Sequence, residues 1–371
     1  ADNGMGAASI MAVLASDSIE HGPIEGLFTI DEETGMTGAF KLQPGLLQGS
    51  ILLNTDTEDE GELTIGCAGG VDSSAMMSYD AEPVSSGTAL TVAVRGLRGG
   101  HSGCEIHLGR GNANKLMNRI LWTVQQTDGI DLRIASMSGG NLRNAIPREA
   151  TATVVIGAGQ GDRFEQTLKN VTASIIDELK RTEPELSVTA SPTEMPASVL
   201  PLDIQRNILS AIYAAPCGVI RYSDEMADLV ETSTSLSRVN VADGNATVDF
   251  LTRSSVESAK HDVGNMIDAA FAIAGFQTRH SGGYPGWAPN ADSAILELMK
   301  TVYEDLFGTP ATVNAVHAGL ECGIIGSHYP GMDMISFGPT IKHPHSPDEK
   351  CHIPSVGLYW KYLVKVLETI S

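Results

Sequence analysis

The sequence predicts an α/β fold: a mostly parallel sheet flanked by helices, interrupted by an inserted α+β domain. Three observations carry that prediction. Both ends of the 371-residue chain alternate helical and strand patterns, the middle runs in longer β-α-β-α-β sets, and the two ends share a style that the middle lacks. The length accommodates two domains with cores of their own. The expected division assigns residues 1–72 and 281–371 to the sheet-based domain, in two parts, and 73–280 to the insertion.

Taken in order, GMGAASIMAVLAS reads as a helix, and GLFTI and GSILLNTD read as strands separated by the Gly/Pro-containing KLQPGLLQ. In the insertion, strand TALTVAVRGL, helix NANKLMNRILWTVQQ, strand ATATVVIGA, helix FEQTLKNVTASIIDELKR and strand ELSVTASP form one set. Helix LDIQRNILSAIYA, strands around TSTSLSRVNV and ATVDFLTRS, and helix VESAKHDVGNMIDAAFAIAG form a second, so the insertion reads as a duplicated unit. The chain then returns to the first style with helix ADSAILELMKTVYEDLF, strand MDMISFG, loop PTIKHPHSPDEKCHIPS and the amphipathic helix VGLYWKYLVKVLETI.

Charge and cysteine usage exclude whole classes of function. A formal net charge of −21, from 45 acidic against 24 basic residues, repels a phosphate backbone and anionic membrane surfaces. No stretch approaches the length of a membrane span, and no basic-then-apolar leader opens the chain. The five cysteines are scattered without a C-x-x-C pair, which argues for reduced thiols and a cytoplasmic protein. GGHSG lacks the Lys-Ser/Thr of a P-loop, GRGNAN and GAGQGD lack the third glycine of a dinucleotide fingerprint, and no G-x-S-x-G or H-E-x-x-H occurs.

Four acid- or histidine-bearing stretches stand at predicted sheet-edge loops. In DEETG, the neighbouring side chains of Glu32 and Glu33 diverge, so one can hold a metal while the other handles a proton. In NTDTEDEGE, Asp56 comes first after the strand, whereas Glu58, Asp59, Glu60 and Glu62 read as ordinary solvated charge. At the start of the chain, Asp2 reads as a ligand or, with Asn3, as the cap of the following helix. In PHSPDE, flanking prolines restrict the backbone around His345, which suits an imidazole ligand. Together they make a set of three carboxylates and an imidazole suited to two closely spaced divalent ions, with one carboxylate to spare as a base.

These stretches, with GCAGGVD, GLRGGHSGCEIHLGRGNANKL, NLRNAIPREA, GGYPGW, HAGLECG and GPTIKHPHSPDEKCHIPSVG, resemble the di-zinc aminoacylase/carnosinase-type metallopeptidases in order along the whole chain. The resemblance implies a zinc-peptidase-like fold with an inserted lid domain. It further implies a zinc-dependent dipeptidase that hydrolyses Xaa-His and other unblocked dipeptides, with two zinc ions, or manganese or cobalt in vitro, as cofactors. By the same resemblance, Asp2 is the bridging carboxylate, followed by a cis peptide; Glu33 and Asp56 are ligands of the separate zincs and His345 of one of them; Glu32 is the general base. His101 is then the lid-domain donor to the oxyanion, in relatives often supplied by the partner subunit, and a homodimer through the lid domain follows. Asn144 and Arg253 resemble residues that bind the substrate's backbone and carboxylate, and Glu321 meets its free amine or serves only as a helix start. Family members carry further residues ahead of ADNG, including an H-x-D motif. On that comparison the chain is expected to be a fragment that binds its second metal weakly and turns over little. A related deacylase or aminotripeptidase, or an inactive metal- or peptide-binding remnant, are the competing readings.

Overall fold

The computed structural model describes residues 2–370 and divides into two compact units. The first comprises residues up to Gly69, Asp224–Leu229 and Tyr284 onward; the second comprises Gly70–Ser223 and Val230–Gly283.

The first unit is built on a four-stranded sheet in the spatial order Ile51–Asn54, Asp333–Ser336, Glu62–Cys67, Thr312–Val316. The two outer pairings are parallel, and a single antiparallel contact between Ser336 and Thr64 joins them. Sequence-distant ends of the chain thus share one sheet. Helices Gly4–Leu14, Ala294–Phe307 and Ile353–Ile370 pack on it through a core that includes Val13, Leu63, Ile65, Met299, Phe337 and Val366. Aromatic rings fill its centre: Tyr362 lies edge-on to Tyr303 and Phe337, and its hydroxyl donates to the Met299 carbonyl at 2.7 Å. Ser293 starts the helix Ala294–Phe307 by accepting the Leu296 N–H at 3.1 Å, and Gly308, with φ of 71°, ends it in the left-handed conformation.

GLFTI, expected as a strand, is not one. Residues 26–30 carry no ladder, and Phe28 and Ile30 are 51% and 74% exposed. A strand persists only where its backbone groups find a neighbour to bond, and among the described residues none runs alongside this segment. It lies instead as an extended connection into the short helix Glu32–Gly35.

The second unit holds a nine-stranded sheet. Its order is Ser187–Pro192, Thr88–Arg95, Ala150–Ile156, Leu132–Gly139, Val230–Ala242, Asn245–Ser254, Gly69–Ser78, Gln277–Tyr284, with Gly218–Tyr222 also paired to Val230–Ala242. That central strand is long enough to pair through its first half with Gly218–Tyr222 and through its second with Leu132–Gly139. Helices Ala113–Gln125, Gly161–Leu179, Leu202–Ala214 and Glu257–Ile273 contribute the apolar faces of one continuous core, with Ile120, Phe164, Ile212 and Phe271 fully buried. The four strands Gly69–Ser78, Leu132–Gly139, Gly218–Tyr222 and Gln277–Tyr284 have no counterpart among the predicted elements, because their sequences lack a sustained apolar alternation.

Candidate metal centre

In the first unit, the residues before the helix Gly4–Leu14, the short helix Glu32–Gly35, the loop after the strand Ile51–Asn54 and the loop around His345 carry the charged groups of one site. Asn3 caps the helix Gly4–Leu14: its Oδ1 accepts the Gly6 N–H at 2.9 Å. A Cβ at Gly6 would collide with Asn3 and Thr55, so the glycine is what lets the cap sit against the strand end. With the cap supplied by Asn3, the Asp2 carboxylate is left to face His345, whose Nε2 lies 3.4 Å from Asp2 Oδ2 and 2.9 Å from Glu33 Oε2. The Asp2–Asn3 peptide is cis, and the Asp2 N–H donates to Glu349 Oε1 at 3.1 Å.

Glu32 and Glu33 are aimed by the residue before them. Asp31 adopts φ of 62° and accepts the hydroxyls of Thr34 and Thr37, a turn that opens the helix Glu32–Gly35 and separates its first two side chains. Glu32 is half-buried and Glu33 exposed. On the neighbouring strand end, Asn54 Oδ1 accepts the Asp56 N–H at 3.0 Å and the Ser336 hydroxyl at 2.6 Å, fixing the turn that presents Asp56. His345 is itself left-handed, with φ of 58°, in a loop tied by the Ser346 hydroxyl to the His343 carbonyl.

The electrostatics of this cluster are those of acids crowded against one another around a basic neighbour, His345. Burial, then the charges of Glu33, Glu321 and Asp2, push Glu32 up to about 7. Burial, then Asp2, Glu32 and Glu321, push Asp56 up to about 8. Glu33, Glu58 and Glu321 are also raised, each chiefly by burial. Carboxylates that hold one another's protons this way are the donor set a divalent cation relieves. Asp2, Glu33, Asp56 and His345 supply oxygen and imidazole ligands of the kind zinc and manganese accept.

Glu58 corrects the sequence reading. It is not ordinary solvated charge: a carboxylate oxygen of Glu58, one of Asp2 and a nitrogen of His345 lie within 4.8 Å of one another. Nothing in the acid run distinguishes it from Asp59 or Glu60; a two-residue offset from Asp56 on an extended segment is the one available signal. Glu321 opens the helix Glu321–His328 and is 7% exposed. Its Oε2 accepts the Thr29 hydroxyl at 2.6 Å, while its buried Oε1 has no hydrogen-bond partner among the described residues. Asp2, Glu32, Glu33, Asp56 and Glu321 line a cleft of about 870 Å³ together with Ile10, Leu14, Phe28, Leu52 and Leu363.

The remaining predicted residues belong to the second unit. His101 Nδ1 accepts the backbone N–H groups of Gly103 at 3.2 Å and Cys104 at 3.0 Å. Those groups can only donate, so the proton of the neutral ring sits on Nε2. Burial, then the Arg253 charge, lowers the His101 pKa, which favours the neutral ring. Arg253 Nη2 lies 3.4 Å from that same Nε2. Two donors side by side form a seat for an acceptor from outside. Asn144 is exposed, and its carbonyl accepts the Ser102 N–H at 2.9 Å, next to the short ladder that pairs His101 with Ala145.

The peptidase dimerisation domain family matches residues 92–183. The chain is 43% identical over 371 residues to the cytosol non-specific dipeptidase of Escherichia coli (strain K12), an alignment covering 100% of this chain and 76% of that protein. Among solved structures, the aminoacylhistidine dipeptidase of Vibrio alginolyticus superposes with a TM-score of 0.95 at 45% identity, covering 100% of this chain and 75% of that one. The chain therefore belongs to the family of metallopeptidases that contains the cytosol non-specific, or aminoacylhistidine, dipeptidases.

Proposed function

We propose that this chain is a zinc dipeptidase acting on Xaa-His and other unblocked dipeptides, with Asp2, Glu33, Asp56 and His345 holding two zinc ions and Glu58 adding a donor beside them. The observation that carries the reading is the approach of Asp2, Glu33 and His345 with Glu32 left over as a carboxylate of raised proton affinity. Bound zinc supplies a Lewis acid that polarises the scissile carbonyl and eases deprotonation of water. Glu32 takes the proton from the attacking water and passes it to the leaving amine, a transfer suited to a group that titrates near neutrality. His101 offers its Nε2–H to the developing oxyanion, Arg253 pairs with the substrate's terminal carboxylate, Asn144 binds its backbone, and the open Glu321 Oε1 accepts from its free amine. The dimerisation-domain match supports a homodimer, and the bacterial relative's name supports a cytosolic setting. No described helix is long and apolar enough to cross a membrane.

The test pairs elemental analysis of the zinc-loaded 371-residue chain with an Ala-His hydrolysis assay. Two tight zincs with turnover support the full proposal and overturn the expectation of a weakly held second metal. Zinc binding that survives replacement of both Asp2 and His345 by alanine would overturn the ligand assignment.

A further inference from the structure

The loop that carries His101 is closed at its base by one buried carboxylate. Glu183, 2% exposed, accepts the Arg98 N–H on Oε2 at 2.8 Å and the Gly111 N–H on Oε1 at 2.9 Å. The chain leaves at Arg98, passes through His101, Cys104 and Glu105, and returns at Gly111 to the same side chain. Inside the closed loop a second tie runs to the histidine. Arg110 bonds the Gly99 carbonyl and pairs with Glu105 at 2.8 Å, and Glu105 Oε2 accepts the His101 N–H at 2.7 Å. A Cβ at Gly100, whose φ is 134°, would collide with both Arg110 and Glu105, so this crossing needs a glycine. The sequence then fixes the ring: with the backbone of His101 held, the amides of Gly103 and Cys104 reach Nδ1 and leave the proton on Nε2.

We propose that Glu183 is a positioning residue for His101, setting the loop closure that fixes the histidine's tautomer and holds its Nε2–H beside Arg253. Glu183 sits far along the loop's own contacts from the imidazole and acts through Arg98, Gly111 and the Arg110–Glu105 tie. A carboxylate suits the task because both of its oxygens accept, and charge strengthens both bonds. Glutamine offers one acceptor and turns an NH₂ toward the other amide, so Glu183→Gln releases one end of the loop while keeping the side chain's volume. The consequence for turnover rests on the reading of His101 as the oxyanion donor; the consequence for the tautomer does not.

The experiment is a long-range proton–nitrogen spectrum of the ¹⁵N-histidine-labelled, zinc-loaded chain at pH 8, with His101 assigned by comparison with His101→Gln. The native chain is expected to show His101 as one Nε2–H tautomer, and Glu183→Gln a mixture. Where the protein turns over Ala-His, Glu183→Gln is expected to lower kcat by about tenfold to a hundredfold, the scale of a small misplacement of a reacting group, with KM changing less. If Glu183→Gln fails to fold, Arg110→Gln cuts the second tie at a less buried point and is expected to give the same tautomer mixture. A pure Nε2–H tautomer in a folded variant overturns the positioning role whatever turnover does. A tautomer mixture with unaltered turnover keeps that role and overturns the assignment of His101 to the oxyanion.

Discussion

The two units treat buried charge in opposite ways. In the second, Lys115, Asp249 and Glu183 each meet groups that complement their charge. Lys115 donates to the carbonyls of Ile212, Tyr213 and Ala215; Asp249 accepts from Ser74 and Arg238; Glu183 takes two backbone amides. In the first, Glu32, Asp56, Glu58 and Glu321 are partly or fully enclosed, and the strongest charges acting on Glu32 and Asp56 are other carboxylates. A charge the protein satisfies by itself marks architecture. A charge left facing its own kind marks a place where something else must bind, because burying like charges together has no structural return.

The sharpest way to break this contrast is to compare a neutral amide at one position in each unit. Glu32→Gln keeps the shape but cannot take a proton, and is expected to lower kcat by about 10²- to 10⁴-fold with zinc content unchanged. Asp249→Asn in the second unit is expected to leave kcat within about twofold, as a surface-remote partner loss acts on stability rather than on chemistry. Steady-state Ala-His hydrolysis with elemental analysis reads both. If Glu32→Gln retains a tenth of native activity, or loses its zinc, Glu32 is not the base.

The second comparison exchanges chemistry for packing. Phe271 is fully buried between Phe250 and Phe276, with ring centroids at 5.7 and 5.0 Å. Phe271→Ala is expected to cost about 3–5 kcal/mol, the range for removing a buried phenyl ring. Urea unfolding measures the loss, and zinc affinity is expected to stay within about threefold because the metal centre belongs to the other unit. A parallel fall in zinc affinity would mean that the two units do not keep their roles separate.

How much of this was legible beforehand follows the same physics. Helices with an apolar stripe, such as Leu202–Ala214, declare themselves at the residue, because burial on one face imposes a 3.6-residue period. The acids of DEETG and NTDTEDEGE and the histidine of PHSPDE stand out because charged residues cluster after strand patterns. What stayed hidden needs three-dimensional information. GLFTI has a strand's composition but no neighbour to pair with, and Gln277–Tyr284 has a neighbour but, exposed along most of its length, no apolar alternation. Glu58 sits in a run of identical-looking acids, and Glu183, in RTEPELS, reads as surface until the amides of Arg98 and Gly111 are seen to end on it.

The smallest effect concerns the two residues the sequence could not separate. Asp2 and Asn3 are both competent helix caps, and either could have left the other's side chain to the metal centre. The structure gives the cap to Asn3, through Oδ1 and the Gly6 N–H, and turns the Asp2 carboxylate to His345. Asn3→Ala should therefore cost about 1 kcal/mol in urea unfolding, the usual loss for a cap, while moving zinc affinity less than about threefold. Asp2→Asn should do the reverse, weakening zinc by about tenfold or more, on the scale seen for groups that support a bound metal, with little change in the metal-free unfolding midpoint. If Asp2→Asn destabilises the metal-free chain as much as Asn3→Ala and leaves zinc affinity alone, the roles are exchanged. The first unit would then lose a carboxylate that acts on both Glu32 and Asp56.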